Sequence, residues 1–154
     1  MNILVIYDSV FGNTEQIARA ISKGLVAEAQ CLHAGAVSIA QIKAADVIVM
    51  GSPTRSFAAT PAVMSLLEAV PADALAGKRV AAFDTRILLS SIKGLLFRKL
   101  VDKGGYAAPI IAAKLQARGG TLALAAEGFF VTGEKGPLVS GELERAAEWG
   151  KQLA

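Results

Sequence analysis

The chain opens on five consecutive apolar residues, ILVIY at 3–7, and meets a second such run, VIVMG, at 47–51. Uninterrupted runs of this length predict strands buried on both faces. Between them the period changes. Ile17, Ile21, Gly24, Leu25 and Glu28 share one side of a helix predicted over 14–28, whose apolar members make a buried stripe. Residues 30–34 read as a weaker strand, and Ser38 as the cap of a short helix reaching Ala45. Thr60 and Pro61 mark a helix start, an N-cap hydroxyl followed by proline at the first helical position. Val63, Leu66, Leu67 and Val70 continue that helix and Pro71 ends it. VAAF at 80–83 predicts a fourth strand that stops at Asp84. A helix from Ser91 to Lys103 ends at Gly104 and Gly105, and another over 107–118 ends at Gly119 and Gly120. TLALAA at 121–126 predicts a fifth strand, continued after Gly128 by FFV. The last helix covers 141–153, with Leu143, Ala146, Ala147 and Gly150 inward and Trp149 beside them.

Strand and helix thus alternate five times, with strands apolar on both sides. The pattern predicts one α/β domain over 1–154, a three-layer doubly wound parallel sheet with helices on both faces. Periodicity leaves the strand order open. Ligands of such sheets sit beyond the carboxyl ends of the strands. Three loops lie there, at 8–14, 52–60 and 84–90.

Composition narrows the class. Apolar residues make up 53% and charged residues 19%, as expected of a well-cored globular protein. No apolar run approaches the roughly 20 residues of a membrane-spanning helix. The first residues carry no basic leader, and Cys31 stands alone, without a partner for an internal disulfide or a multi-cysteine metal site. The expectation is a cytoplasmic protein. The net charge is +3 and the pI about 9.2. Between Arg86 and Arg118 lie seven basic residues and one acid, Asp102. Aromatic residues are only 6% of the chain, too few to supply the stacking platforms of single-strand binders, so no nucleic-acid partner is expected. The one histidine, His33, alternates with Cys31 on the weak strand and reads as structural; no metal cluster and no Ser/His/Asp set is predicted.

The chemistry concentrates in the first loop, DSVFGNTEQIA at 8–18. A helix starting near Asn13 aims unpaired N–H groups and a partial positive charge into that loop. Ser9 and Thr14 add hydroxyls, Asn13 an amide, and Gly12 lets backbone approach closely. These donors suffice to hold a phosphate without a cationic side chain. The same residues also suit plain N-capping by Asn13 or Thr14, and spacing leaves both readings open. No lysine follows Gly12 as in a P-loop. One glycine does not make a dinucleotide fingerprint, and the loop lacks the cysteine of a C-x5-R phosphatase. Gly51 stands where a phospho-receiver domain needs an acid.

SVFGNTE at 9–15 resembles the phosphate-binding loop of flavodoxins and flavodoxin-like proteins. GSPTRSF at 51–57 is similar to their second loop, while FDTR at 83–86 and EGFFVTGEKGPL at 127–138 support the likeness, which covers nearly the whole chain. The resemblance implies a five-stranded sheet of order 2-1-3-4-5 and one bound FMN. It assigns the phosphate to Ser9, Phe11, Gly12, Asn13 and Thr14. Ser52, Pro53, Thr54 and Arg55 would pass along the flavin ring, and Asp84, Thr85 and Arg86 would meet its other edge.

The chain departs from the family's electron carriers in two respects. Those commonly sandwich the ring between two aromatic residues; here Phe57 alone stands in the second loop, and nothing aromatic lies between Asp84 and Phe97. They are also acidic, and this chain is basic. Arg55 and Arg86 are further departures. A guanidinium about 4 Å from the ring would attract the reduced cofactor with ~4 kcal/mol before desolvation and screening, raising its potential. The resemblance implies a redox protein passing electrons through FMN to a partner protein or small acceptor. An NAD(P)H-dependent FMN or quinone reductase is the alternative. A reading of another class makes the apolar and basic segment 88–105 the working surface of a non-catalytic interaction module.

Overall fold

In a computed structural model, residues 1–91, 94–96, 98–99 and 105–153 are described. The sheet begins with β1 (Ile3–Tyr7), β2 (Ala29–His33), β3 (Val47–Pro53) and β4 (Arg79–Ile87). Its last position is shared by β5 (Thr121–Leu122) and β6 (Glu127–Val131), which both pair with β4. All pairs are parallel, and the order is β2-β1-β3-β4-β5. The expected fifth strand is therefore two short pieces. The first pairs with Arg79 and Val80 and the second with Phe83 to Ile87.

The helices are α1 (Asn13–Gly24), α2 (Ile39–Ala44), α3 (Pro61–Ala69), α4 (Ala107–Ala117) and α5 (Glu142–Lys151). The two-residue alternation of the strands divides the core. Leu4, Ile6, Ile48, Met50, Val80 and Ala82 face one side, against Ile42 of α2, Val63 and Leu67 of α3, and Ile111 and Leu115 of α4. Ile3, Val5, Tyr7, Val49, Ala81 and Phe83 face the other, against Ile17 and Ile21 of α1 and Ala146 and Trp149 of α5. Trp149, Phe83 and Phe129 meet edge to face with centroids 6.1–6.4 Å apart.

Several boundaries differ from the expectation. The first helix stops at Gly24, four residues early, because Leu25 turns to extended backbone and buries. β4 runs on through Asp84, Thr85 and Arg86 to Ile87. Leu143 of α5 faces solvent, 41% exposed, while its neighbour Glu142 is buried. Burial pushes the Glu142 carboxyl up, but hydrogen bonds from Arg145 and the Phe130 N–H outweigh it and hold it below the usual range. Arg145 also donates to Gly128 O at 2.6 Å, so this charge pair ties α5 to β6. The helix expected over 91–103, and with it most of the 88–105 surface, falls on a stretch where 92, 93, 97 and 100–104 lie outside the described residues. Among the described residues, no helix is long and apolar enough to cross a membrane.

α1 and α5 cross backbone to backbone. A Cβ on Gly24 would stand 2.0 Å from Ala147 O, and one on Gly150 would stand 2.4 Å from Ile21 O. Neither obstacle is a side chain that can swing away. Gly24→Ala or Gly150→Ala should therefore cost about 1–3 kcal/mol through forced separation of the helices. Urea unfolding followed by Trp149 fluorescence measures it, and an unchanged midpoint in both variants contradicts the close crossing.

Candidate functional site

The parallel sheet gathers the ends of β1, β3, β4 and β6 along one edge. There a cleft of about 240 Å³ is lined by residues 9–11, 13–14, 53–56, 85–87, 131 and 134. Nine of the thirteen residues expected at a site line it: Ser9, Phe11, Asn13, Thr14, Pro53, Thr54, Arg55, Thr85 and Arg86. Gly12, Ser52, Phe57 and Asp84 do not. Val10, Ser56, Ile87, Val131 and Glu134 join the lining without having been singled out. Glu134 comes from the loop after β6, whose approach to the first loop no local pattern announces.

Neither Asn13 nor Thr14 caps the helix, the alternative that their spacing left open. The N-cap position falls on Gly12, in the left-handed region at φ 92°, with no capping side chain. Ser9 Oγ instead accepts from Gly12 N (3.1 Å) and Glu15 N (3.3 Å). The two candidate caps are engaged elsewhere. Asn13 Nδ2 donates to Lys135 O, and Thr14 Oγ1 lies 2.7 Å from Thr85 Oγ1 in a buried pair. Among the described residues nothing accepts from the Asn13 and Thr14 N–H groups. The Ser9 hydroxyl, having accepted two bonds, keeps its proton to donate. Two free amides and a free hydroxyl donor at a helix start are the kind of donor set that an anion needs. The space beside Gly12 is open, with no atom within 4 Å of a Cβ placed there.

The second loop divides its residues. Ser52 is fully buried, donating to Pro53 O and accepting from Thr60 N, so it anchors the start of α3 and does not reach the cleft. Thr60 holds the N-cap position, but its own side chain makes no cap bond. Thr54 Oγ1 lines the cleft while accepting from Ala107 N. Arg55 and Ala58 bridge across a tight turn in which Ser56 and Phe57 both have positive φ, 49° and 65°. Phe57 stands 39% exposed outside the cleft lining. Phe11 is the aromatic residue inside it, with the Arg55 guanidinium 5.6 Å from its ring centre.

β4 supplies a charge pair. Asp84 is wholly buried and accepts twice from Arg86, both bonds 2.8 Å, and once from Ala108 N at 2.9 Å. Asp84 and Thr54 thus satisfy the first turn of α4 from other elements. The Arg86 guanidinium lies 3.7 Å from the Tyr106 ring centre on one side. On the other side is Gly128, where a Cβ would come within 2.2 Å of Arg86 Nε. In the fold Tyr106 covers Arg86. Arg55 meets Glu134 at 3.8 Å. Both arginines therefore line the cleft with an acid beside them, Asp84 for Arg86 and Glu134 for Arg55.

Asp8 turns away from the anion site. It accepts from Ser9 N and from His33 Nε2, each at 2.9 Å. His33 Nδ1 accepts from Gly35 N, which leaves the ring proton on Nε2 for Asp8. Burial pushes the Asp8 carboxyl up, but hydrogen bonds from Thr60, His33 and Ser9 N outweigh it, and its pKa lies below the ordinary value. Among the described residues no group of three His, Cys, Asp or Glu side chains is placed to hold a metal.

A family model described as a flavodoxin domain matches residues 4–102. Among solved structures, the chain is similar to a flavodoxin from the domain Archaea, at 21% identity and TM-score 0.76, over 100% of this chain and 96% of that one. It is similar to oxidised flavodoxin 1 of Bacillus cereus, at 19% identity and TM-score 0.74, over 99% and 97% of the two chains. A flavodoxin, WrbA-like protein of Agrobacterium tumefaciens aligns at 21% identity and TM-score 0.70, over 99% and 94%. At these identities the structural likeness is one of fold. Among curated proteins no relative matches.

Two expectations follow. Removing the Asp84 carboxylate strands a buried guanidinium and frees an α4 amide, so Asp84→Ala should cost about 3–5 kcal/mol in urea unfolding; a loss under 1 kcal/mol would contradict the buried pair. Asp8, with its depressed pKa, stabilises the fold fully above the ordinary carboxylate range, and the gain is lost as pH falls through its folded value. Asp8→Asn should lower stability at pH 7 and flatten the decline below about pH 5. Parallel stability–pH curves for the two proteins would contradict this.

Proposed function

The chain belongs to the flavodoxin domain family, and on that premise we propose that it is an electron carrier that binds FMN at the cleft and exchanges electrons with a redox partner protein. FMN is the cofactor of this family; bound, it supplies reversible uptake and release of electrons. The observation that carries the reading is the start of α1. The free N–H groups of Asn13 and Thr14 and the hydroxyl of Ser9 converge there on one cleft.

The residues present fit a flavin nucleotide. A phosphate dianion needs donors, and the loop offers amides and hydroxyls reinforced by the helix dipole. Asp8, the acid beside the loop, is bonded away toward His33. The apolar lining from Val10, Phe11, Ile87 and Val131 suits a flat aromatic ring. The enclosed volume lies below the roughly 300–1,000 Å³ of sites that engulf drug-sized ligands. A nucleotide held here keeps part of itself at the surface, as electron exchange requires. Val10 and Phe11 are exposed at 49% and 42%. With Phe57 they make the apolar rim on which a partner protein would settle. The paired state of Arg55 and Arg86 tempers the potential shift that two free cations would produce.

The purified protein should be yellow and should release FMN, not FAD, on denaturation. Added to the apoprotein, FMN should lose its fluorescence, and Ser9→Ala and Thr14→Val should each weaken binding roughly tenfold or more, since hydrogen bonds to a charged group are lost. Unquenched FMN, or variants that bind it as wild type does, would overturn the reading. In steady state with NAD(P)H and a quinone, a carrier shows no turnover without an added reductase. Turnover by the protein alone would make it a reductase.

A further inference from the structure

The buried contact between Thr14 and Thr85 has a direction that the cleft decides. Their hydroxyl oxygens lie 2.7 Å apart, and the two residues are 1% and 5% exposed. Each hydroxyl owns one proton. Among the described residues neither has another side-chain hydrogen bond. If Thr14 donates to Thr85, the Thr14 proton is spent on the floor of the cleft. If Thr85 donates to Thr14, the Thr14 proton is released toward the cleft, beside the free N–H groups of Asn13 and Thr14 itself. An anion at the start of α1 favours the second arrangement, because it turns one more donor outward and each bond in the chain polarises the next.

We propose that Thr85 is a positioning residue for phosphate, orienting the Thr14 hydroxyl as a donor, although it stands on β4 where the loop pattern places it at the flavin ring. The inference rests on FMN occupying this cleft. It explains why a hydroxyl residue ends a buried stretch of β4. The side chain makes no contact with solvent of any size and caps no helix; its one polar bond leads to the first residue pair of α1. It also links α1 to β4 through two residues 71 positions apart in sequence.

Thr85→Val removes the proton and keeps the shape. FMN affinity, read by fluorescence quenching, should fall roughly tenfold, the worth of one oriented hydrogen bond. Thr85→Ser, which keeps the hydroxyl, should restore it to within about threefold of wild type. Riboflavin carries the same ring without the phosphate, so its affinity should be unchanged by Thr85→Val. The ³¹P resonance of FMN bound at saturating protein should move in Thr85→Val and return in Thr85→Ser, which settles the matter even where riboflavin binds too weakly to titrate. Equal loss of FMN and riboflavin with an unmoved ³¹P signal would make Thr85 a ring contact and overturn the proposal. So would unchanged FMN binding in Thr85→Val. Wild-type protein that fails to quench FMN at all would instead strike the FMN reading itself.

Discussion

Two backbone N–H groups, of Asn13 and Thr14, open α1 with no acceptor in the protein among the described residues, and the arrangement of the cleft follows from keeping them so. A helix start ordinarily spends its polar side chains on its own amides. Here two of those three side chains are drawn off. Asn13 reaches the loop after β6, Thr14 reaches β4, and Ser9 serves Gly12 and Glu15. Gly12 makes the turn in a backbone conformation that other residues rarely adopt. The donors left over are aimed at one place, and the helix dipole adds to them.

The same economy governs the charges. Two cations, Arg55 and Arg86, line the cleft. Yet Arg86 is gripped by buried Asp84, and Arg55 leans on Phe11 and Glu134. A buried guanidinium without its partner would be costly. Pairing it lets the protein keep a rigid planar group at the cleft wall, stacked on Tyr106, without placing net charge there. Asp84 and Thr54 in turn satisfy the first amides of α4. The wall of the site and the start of a core helix are therefore one hydrogen-bonded unit, which ties the stability of the fold to the shape of the cleft.

Much of this is legible along the chain because it depends on local periods. Apolar runs marked β1 and β3, helical spacing marked α1 and α3, and the Ser38–Gln41 capping box formed as the Ser38 signal implies. Where a polar residue is buried because another group answers it, the reading slips. Asp84 looked like the end of a strand because a carboxylate is rarely buried; Arg86 is what lets β4 continue past it. Leu143 looked inward, but it is Glu142 that is buried, held by Arg145 and the Phe130 amide. Thr60 looked like a capping hydroxyl, but its side chain makes no cap bond, and its N–H donates to buried Ser52.

The amino-acid sequence by itself determined the alternation of strands and helices, the parallel buried sheet, and a polar, glycine-bearing loop at the start of α1 that suits either an anion or a helix cap. Those properties rest on residue periods and backbone freedom within a few positions. Only the tertiary structure decided which of those side chains face the cleft. The partners of Asn13, Thr14 and Thr54 lie between 53 and 122 residues away, and Asp84 joins Arg86, two residues on, to Ala108, 24 residues on. A hydrogen bond goes to whichever group the fold brings near, and no spacing along the chain records that.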